Sequence, residues 1–207
     1  NTKFSQKAKV QKDLNAILNQ MDKIFTNKEP YMKKYNVLSI FLFLLHLKHN
    51  YSTTEIKNSE YLSFIDDFEK ERLKNNTRSE DDSGFDPRLQ KYSHTCSNSP
   101  DSLDHMAFRQ KVLMEQFLSK YVDLPTKDAI RFFTPEMKIC IYLLNNKKCQ
   151  SKRDDCPVKG EVLEITDCEF DHITEHTSGG KTKVSNGQTM CCICHQEKTA
   201  ASNRKKR

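Results

Sequence analysis

Apolar residues near the start of the chain recur at three- and four-residue intervals, at Leu14, Ile17, Leu18, Met21, Ile24 and Phe25. That spacing predicts an amphipathic helix between Phe4 and Phe25, ended by a turn from Asn27 to Pro30. Tyr35 to Leu47 is apolar nearly all round, the pattern of a central helix in a bundle. Tyr61, Leu62, Ile65, Phe68 and Leu73 predict a third helix with charge on its other side. From Asn75 to Pro100 the chain carries Asn, Ser, Asp, Gly and Pro and few apolar groups, which predicts a polar connection with at most short helical turns. A fourth helix is expected from Ser102 to Val122, with Val112, Leu113, Phe117, Leu118 and Tyr121 on one face and Leu124-Pro125-Thr126 as its stop. No internal repeat is present.

Beyond residue 130 the pattern changes. Thr134-Pro135-Glu136 offers a capping hydroxyl, a proline at the first helical position and an early acid, so a helix should run through Met137, Ile141 and Leu144 to Asn145-Asn146. A cysteine-bearing loop, Cys149 to Cys156, and a turn at Val158-Lys159-Gly160 follow. Glu161 to Ile165 alternates as a strand, and a second strand is expected from Cys168 to Ile173. After a polar loop with Gly179-Gly180, Met190 to Ala201 predicts a short last helix. The fold class is α+β: a mainly α-helical region over residues 1–130, with its polar connection at 75–100, then a small strand, strand, helix domain over 131–207. The helical region reads as the C-terminal part of a larger upstream domain.

Composition sharpens this picture in four ways. With 36% apolar and 30% charged residues in 207, part of the chain should fold compactly and part should not. The net charge is +6, and from Arg131 onward 14 basic residues face 10 acidic ones, which favours an anionic partner for the C-terminal part. The most apolar run, Val37 to Leu47, is far below the roughly 18 to 20 residues that span a bilayer, and no signal peptide is visible, so no membrane association is expected. Seven of the eight cysteines lie from Cys140 to Cys194, and the Cys-x-x-Cys spacing favours metal binding in a reducing cytoplasm over a disulfide scaffold.

The densest chemistry is an ordered set: Asp171-His172, Gly179-Gly180, Asn186, then Cys191-x-x-Cys194-His195 with Lys198 behind it. Taken singly, each is commonplace: a surface Asp-His pair, a flexible loop, an Asn-Gly turn. Their joint order resembles the HNH endonuclease superfamily over roughly Arg131 to Lys198. The resemblance implies a ββα-metal module that hydrolyses DNA phosphodiester bonds. It implies His172 as general base and Asp171 and His195 as ligands of a divalent ion, Mg2+ or Mn2+, with Asn186 positioning the base and pinning the loop. Such hydrolysis needs an activated water and a counter-charge for the transition state, which an imidazole near neutrality and a hard cation supply.

Cys191 and Cys194, with Cys149 and Cys156 across the hairpin, are expected to bind a separate structural zinc. Six residues separate Cys149 from Cys156, wider than the tight pair usual in related modules, and Cys192 or Cys168 are the alternative ligands. Lys198, Arg204 and Lys205 are candidate phosphate contacts, and no aromatic interleaving marks a single-strand groove. The stretch from Phe85-Asp86-Pro87 to Arg131-Phe132-Phe133-Thr134 looks like the region before the HNH module of bacterial restriction-type nucleases. That likeness implies an upstream nucleotide-binding domain or partner subunit and leaves room for homo-oligomers. Two other readings stay open: a catalytically silent zinc module that binds nucleic acid, and a helical interaction protein with a vestigial HNH domain.

Overall fold

The computed structural model describes residues 7–27, 29–127 and 131–205, with only the backbone at 205. Two compact units divide between Gln116 and Phe117. In the first, α1 (Lys7–Ile24) packs against α2 (Lys34–Asn50) and α3 (Asn58–Asn75). The rings of Phe43, Phe64, Phe68 and Tyr92 form a continuous chain, with successive centroids 5.6, 6.3 and 5.0 Å apart. The buried face of α1 is Ile17, Met21 and Ile24, whereas Leu14 and Leu18, expected on that face, are 42% and 47% exposed. Helical periodicity located the helix but chose too wide a stripe.

The expected polar connection contains a full helix, α4 (Pro87–Ser97). Its N-terminus is set locally: the Asp86 carboxylate accepts from the Arg88 backbone N–H at 2.7 Å, and Pro87 takes the first helical position. Its buried face, Leu89, Tyr92, Thr95 and Cys96, is short and half polar, so no hydrophobic periodicity announces it. The loop before it is closed by Asn75, which bonds both the N–H and the carbonyl of Asp86.

The next helix, α5 (Leu103–Lys120), buries Arg109 completely. That guanidinium donates to Ser39 Oγ, Thr95 O and Pro100 O at 2.7 to 2.8 Å, tying three segments together through neutral acceptors. Glu69 and Arg72 form a second buried polar tie at 2.7 Å, extended to Ser93 Oγ. Deleting one partner of such a pair typically costs about 3 to 5 kcal/mol, because the other charge is left buried.

The second unit holds the end of α5, α6 (Pro135–Leu144), β1 (Cys168–His172), β2 (Gly187–Cys191) and α7 (Cys192–Lys205). Thr134 caps α6 by accepting from the Met137 N–H. The strands pair antiparallel, with Cys168 opposite Cys191, Asp171 opposite Gln188 and His172 opposite Gly187. Gly187 has a steric consequence: a Cβ there would lie 2.2 Å from Ile141 Cδ1, so any side chain would force Ile141 on α6 to shift.

Two sequence expectations are corrected here. Residues 161–165 are not a strand; the Leu163 N–H donates to Lys147 O and the Tyr142 hydroxyl donates to Leu163 O, so this backbone is satisfied without a ladder. The missing strand is β2, which occupies the end of the expected loop and the expected start of the last helix. The order is therefore strand, loop, strand, helix, and the ββα architecture stands. No described helix is long and apolar enough to cross a membrane.

Candidate active site and metal centre

Successive strand residues point to opposite sides, and the C-terminal end of β1 uses this to separate Asp171 from His172. Asp171 Oδ2 accepts from Gln188 Nε2 at 3.2 Å, its partner across the ladder, and from Lys198 Nζ at 2.5 Å. The same ammonium donates to the His172 carbonyl at 2.6 Å. Lys198, expected to reach a phosphate, is thus engaged with the β1 terminus.

His172 is buried, its ring stacked on Phe133 with centroids 4.3 Å apart and 26° between planes. Its Nε2 lies 3.1 Å from Thr182 Oγ1. Burial holds the imidazole below its ordinary value; Asp171 opposes this, while His176, Lys198 and Arg131 reinforce it. His176 meets His172 edge-on at 6.1 Å. Phe133 and Thr182 belong to no motif, and nothing in the linear sequence marks them as neighbours of His172.

Asn186 works through both ends of its amide. Oδ1 accepts from Thr174 N–H at 2.8 Å, and Nδ2 donates to Thr174 O and Lys181 O, each at 3.0 Å. Its own carbonyl accepts from Ile173 N–H. Both edges of the 174–186 loop are thereby fastened beside His172. Gly180 belongs to the same arrangement, since a Cβ there would lie 1.9 Å from Thr174 O. Gly179 sits at φ +86°, the left-handed region that favours glycine.

Asp171, His172, His176, His195 and Lys198 line one cleft of about 710 Å³, together with the segment from Arg131 to Phe133. His195, half-buried on the first turns of α7, reaches this cleft, while the exposed Arg204 donates along the helix to Ala200 O. The side chain of Lys205 lies outside the described residues.

Cys149, Cys156, Cys191 and Cys194 bring their sulfurs within 4.8 Å of one another. Among the described residues these four form the one group of three or more His, Cys, Asp or Glu side chains placed to hold a metal ion together, and four convergent thiols suit tetrahedral zinc. The chain turns into the cysteine loop through positive φ at Asn146 and Lys147 (53° and 59°), and just after Cys149 the Gln150 N–H donates to Thr189 O, which ties the loop to β2. Backbone N–H groups of Cys191 and Cys194 point at the sulfurs of Cys149 and Cys191, at 3.3 and 3.5 Å. Burial pushes the Cys156 thiol up to about 12 and raises Cys191 as well. For Cys194, burial is outweighed by hydrogen bonds from Ser151 and the three other cysteines, and its thiol is held low. The two alternative ligands lie outside this group. Cys192 is exposed and accepts from Gln196 Nε2, and the Cys168 thiol donates to Glu164 O.

No curated protein and no solved structure matches the chain. Residues 149–201 match the family model for HNH endonuclease, so this segment is similar to the HNH superfamily.

Proposed function

We propose that the C-terminal module is a divalent-metal-dependent endonuclease that hydrolyses DNA phosphodiester bonds. The observation that carries this reading is the convergence of Asp171, His172, His195 and Lys198 on one cleft within an HNH-family segment. His172 is the general base. In the tautomer whose Nε2–H donates to Thr182 Oγ1, 3.1 Å away, Nδ1 keeps the lone pair that takes a proton from water, and burial favours the neutral ring. Asn186 is a positioning residue: it fixes the loop beside the base and transfers no proton.

One carboxylate and one imidazole, Asp171 and His195, form a donor set that suits Mg2+ or Mn2+ and leaves room for water and phosphate oxygens. Such an ion supplies positive charge against the pentavalent transition state and the departing oxygen. Arg204 and Lys205 add phosphate contacts along α7, Lys198 joins them only when released from Asp171 and the His172 carbonyl, and zinc on the four cysteines holds the cysteine loop against β2 and α7. The likeness of residues 85–134 to restriction-type nucleases supports a bacterial restriction or defence setting, with an upstream nucleotide-binding domain or partner subunit. The free thiols suit a cytoplasmic location.

The test is supercoiled plasmid incubated with Mg2+, Mn2+ or chelator, beside His172→Ala. Metal-dependent nicking lost in His172→Ala is expected; nicking that survives the substitution removes His172 as the base. One observation favours a second reading, a DNA-binding module without hydrolysis: the Lys198 ammonium already neutralises Asp171. DNA binding with no nicking under any metal would establish that reading instead.

A further inference from the structure

Phe132 is 74% exposed in the wall of the cleft, between Arg131, whose guanidinium lies 6.0 Å from its ring centroid, and Phe133, which stacks on His172. Exposing a phenylalanine costs solvation free energy and serves no packing purpose here, since its neighbour Phe133 already fills the space against the imidazole. A second pair of the same kind lies in the same cleft, with Lys138 Nζ 5.7 Å from the Phe170 ring centroid. A cation held beside an aromatic ring offers what one nucleotide unit presents: a charge for the phosphate and a π-face for the base.

Charge alone gives this cleft little grip on a polyanion. Arg131, Lys138 and Lys198 are offset by the carboxylates of Glu169, Asp171 and Glu175. Attraction for DNA inside this cleft in the absence of a divalent ion must then come largely from contacts other than charge, and base stacking is the contact that an exposed ring supplies. Stacked bases of a regular duplex present only their edges, so the ring can be used only by a base that has left its stack.

Resting on the nuclease reading above, we propose that Phe132, with Arg131 beside it, receives an unstacked nucleobase next to the phosphate facing His172. The module therefore favours DNA with an unpaired or readily unstacked nucleotide over fully paired duplex. The adjacency is covalent: consecutive Cα atoms are about 3.8 Å apart, so the base platform and the ring that supports the general base cannot separate. The selectivity arises because extruding a base costs least where it is already unpaired.

The test measures fluorescence anisotropy in buffer free of divalent ions, using a fluorescein-labelled single strand, the fully paired duplex, and that duplex with one unpaired nucleotide. Wild type should bind the strand and the bulged duplex more tightly than the paired one. Phe132→Ala should lose roughly 5- to 150-fold on those two probes and little on paired duplex, with Phe132→Tyr retaining the preference. No preference in wild type, an equal loss on all three probes, or no loss at all would each overturn the proposal. Plasmid nicking with Mg2+, run in parallel on wild type, separates the two ideas. Nicking without a preference ends the stacking proposal alone, and a Phe132-dependent preference without nicking ends hydrolysis alone.

Discussion

Lys198 and Asp171 are joined at 2.5 Å, and the same ammonium holds the His172 carbonyl at 2.6 Å. One cation on α7 thus fastens the end of β1 at the point where a carboxylate and an imidazole diverge. If Asp171 is a metal ligand as proposed, the side chain and the ion compete for its Oδ2. Replacing Lys198 by Met should raise the affinity for Mn2+ by up to about fivefold, the range of a partly exposed ion pair. Titration of free Mn2+ by electron paramagnetic resonance reads this directly. An unchanged affinity would remove Asp171 from the ligand set.

The His172 imidazole is depressed below its ordinary value of 6.5, chiefly by burial. A base with that bias stays neutral through pH 7, so kcat/KM should be flat near neutrality and fall on acidification with an apparent pKa below 6.5. Stability carries the same sign. As pH drops below 6.5 the unfolded chain takes up the proton first, and stability is lost between that pH and the lower folded value. A pH–rate profile with urea melts checks both, and His172→Gln should flatten the stability change in that window. An acidic limb centred above 7 would contradict the buried, neutral base.

The elements most legible in the sequence are those with a local cause. Thr134-Pro135 starts α6 where its capping chemistry requires, and of the motif residues read from the sequence Asp171, His172 and His195 line one cleft. The elements that escaped have causes distant in sequence. β2 is a strand because β1 pairs with it, and Gly187 packs against Ile141 of α6, neither of which shows in Gly187-Gln188-Thr189-Met190-Cys191 read alone. Glu161 to Ile165 alternates convincingly but finds no partner strand, because Lys147 and Tyr142 satisfy its backbone first. Asp86-Pro87 did carry a helix start, and it was masked by the polar composition of the α4 face.

Gly180 and Asn186 converge on one carbonyl, Thr174 O, which accepts from Asn186 Nδ2 at 3.0 Å and would meet a Cβ on Gly180 at 1.9 Å. Gly180→Ala must therefore push that carbonyl away and break the Asn186 clamp without touching Asn186 itself. Asn186→Ala leaves buried backbone groups unpaired and should cost about 1 to 3 kcal/mol. Both variants should lower kcat more than they raise KM, since the loop beside the base is displaced and the DNA contacts on α7 are not. Urea melts with steady-state nicking kinetics measure this. A Gly180→Ala protein with wild-type kcat would show that the loop does not position His172.

Zinc should be present at about one equivalent and should be lost with any of the four clustered cysteines, but not with Cys192. Cys156 decides the matter, because its spacing from Cys149 is unusual while its sulfur lies with the other three. Cys156→Ser should drop elemental zinc well below one equivalent and unfold the C-terminal unit at a lower temperature, since metal binding and folding of so small a hairpin are one equilibrium. Cys192→Ser, whose thiol accepts only from Gln196 among the contacts seen at its exposed position, should keep the metal and the melting temperature. Retention should also fall with pH: zinc displaces protons from thiols that burial holds protonated, Cys156 up to about 12, so acid returns those protons and expels the ion. A Cys156→Ser protein that keeps its full zinc content would shift the fourth ligand to Cys168, whose Cα partner across the ladder is Cys191.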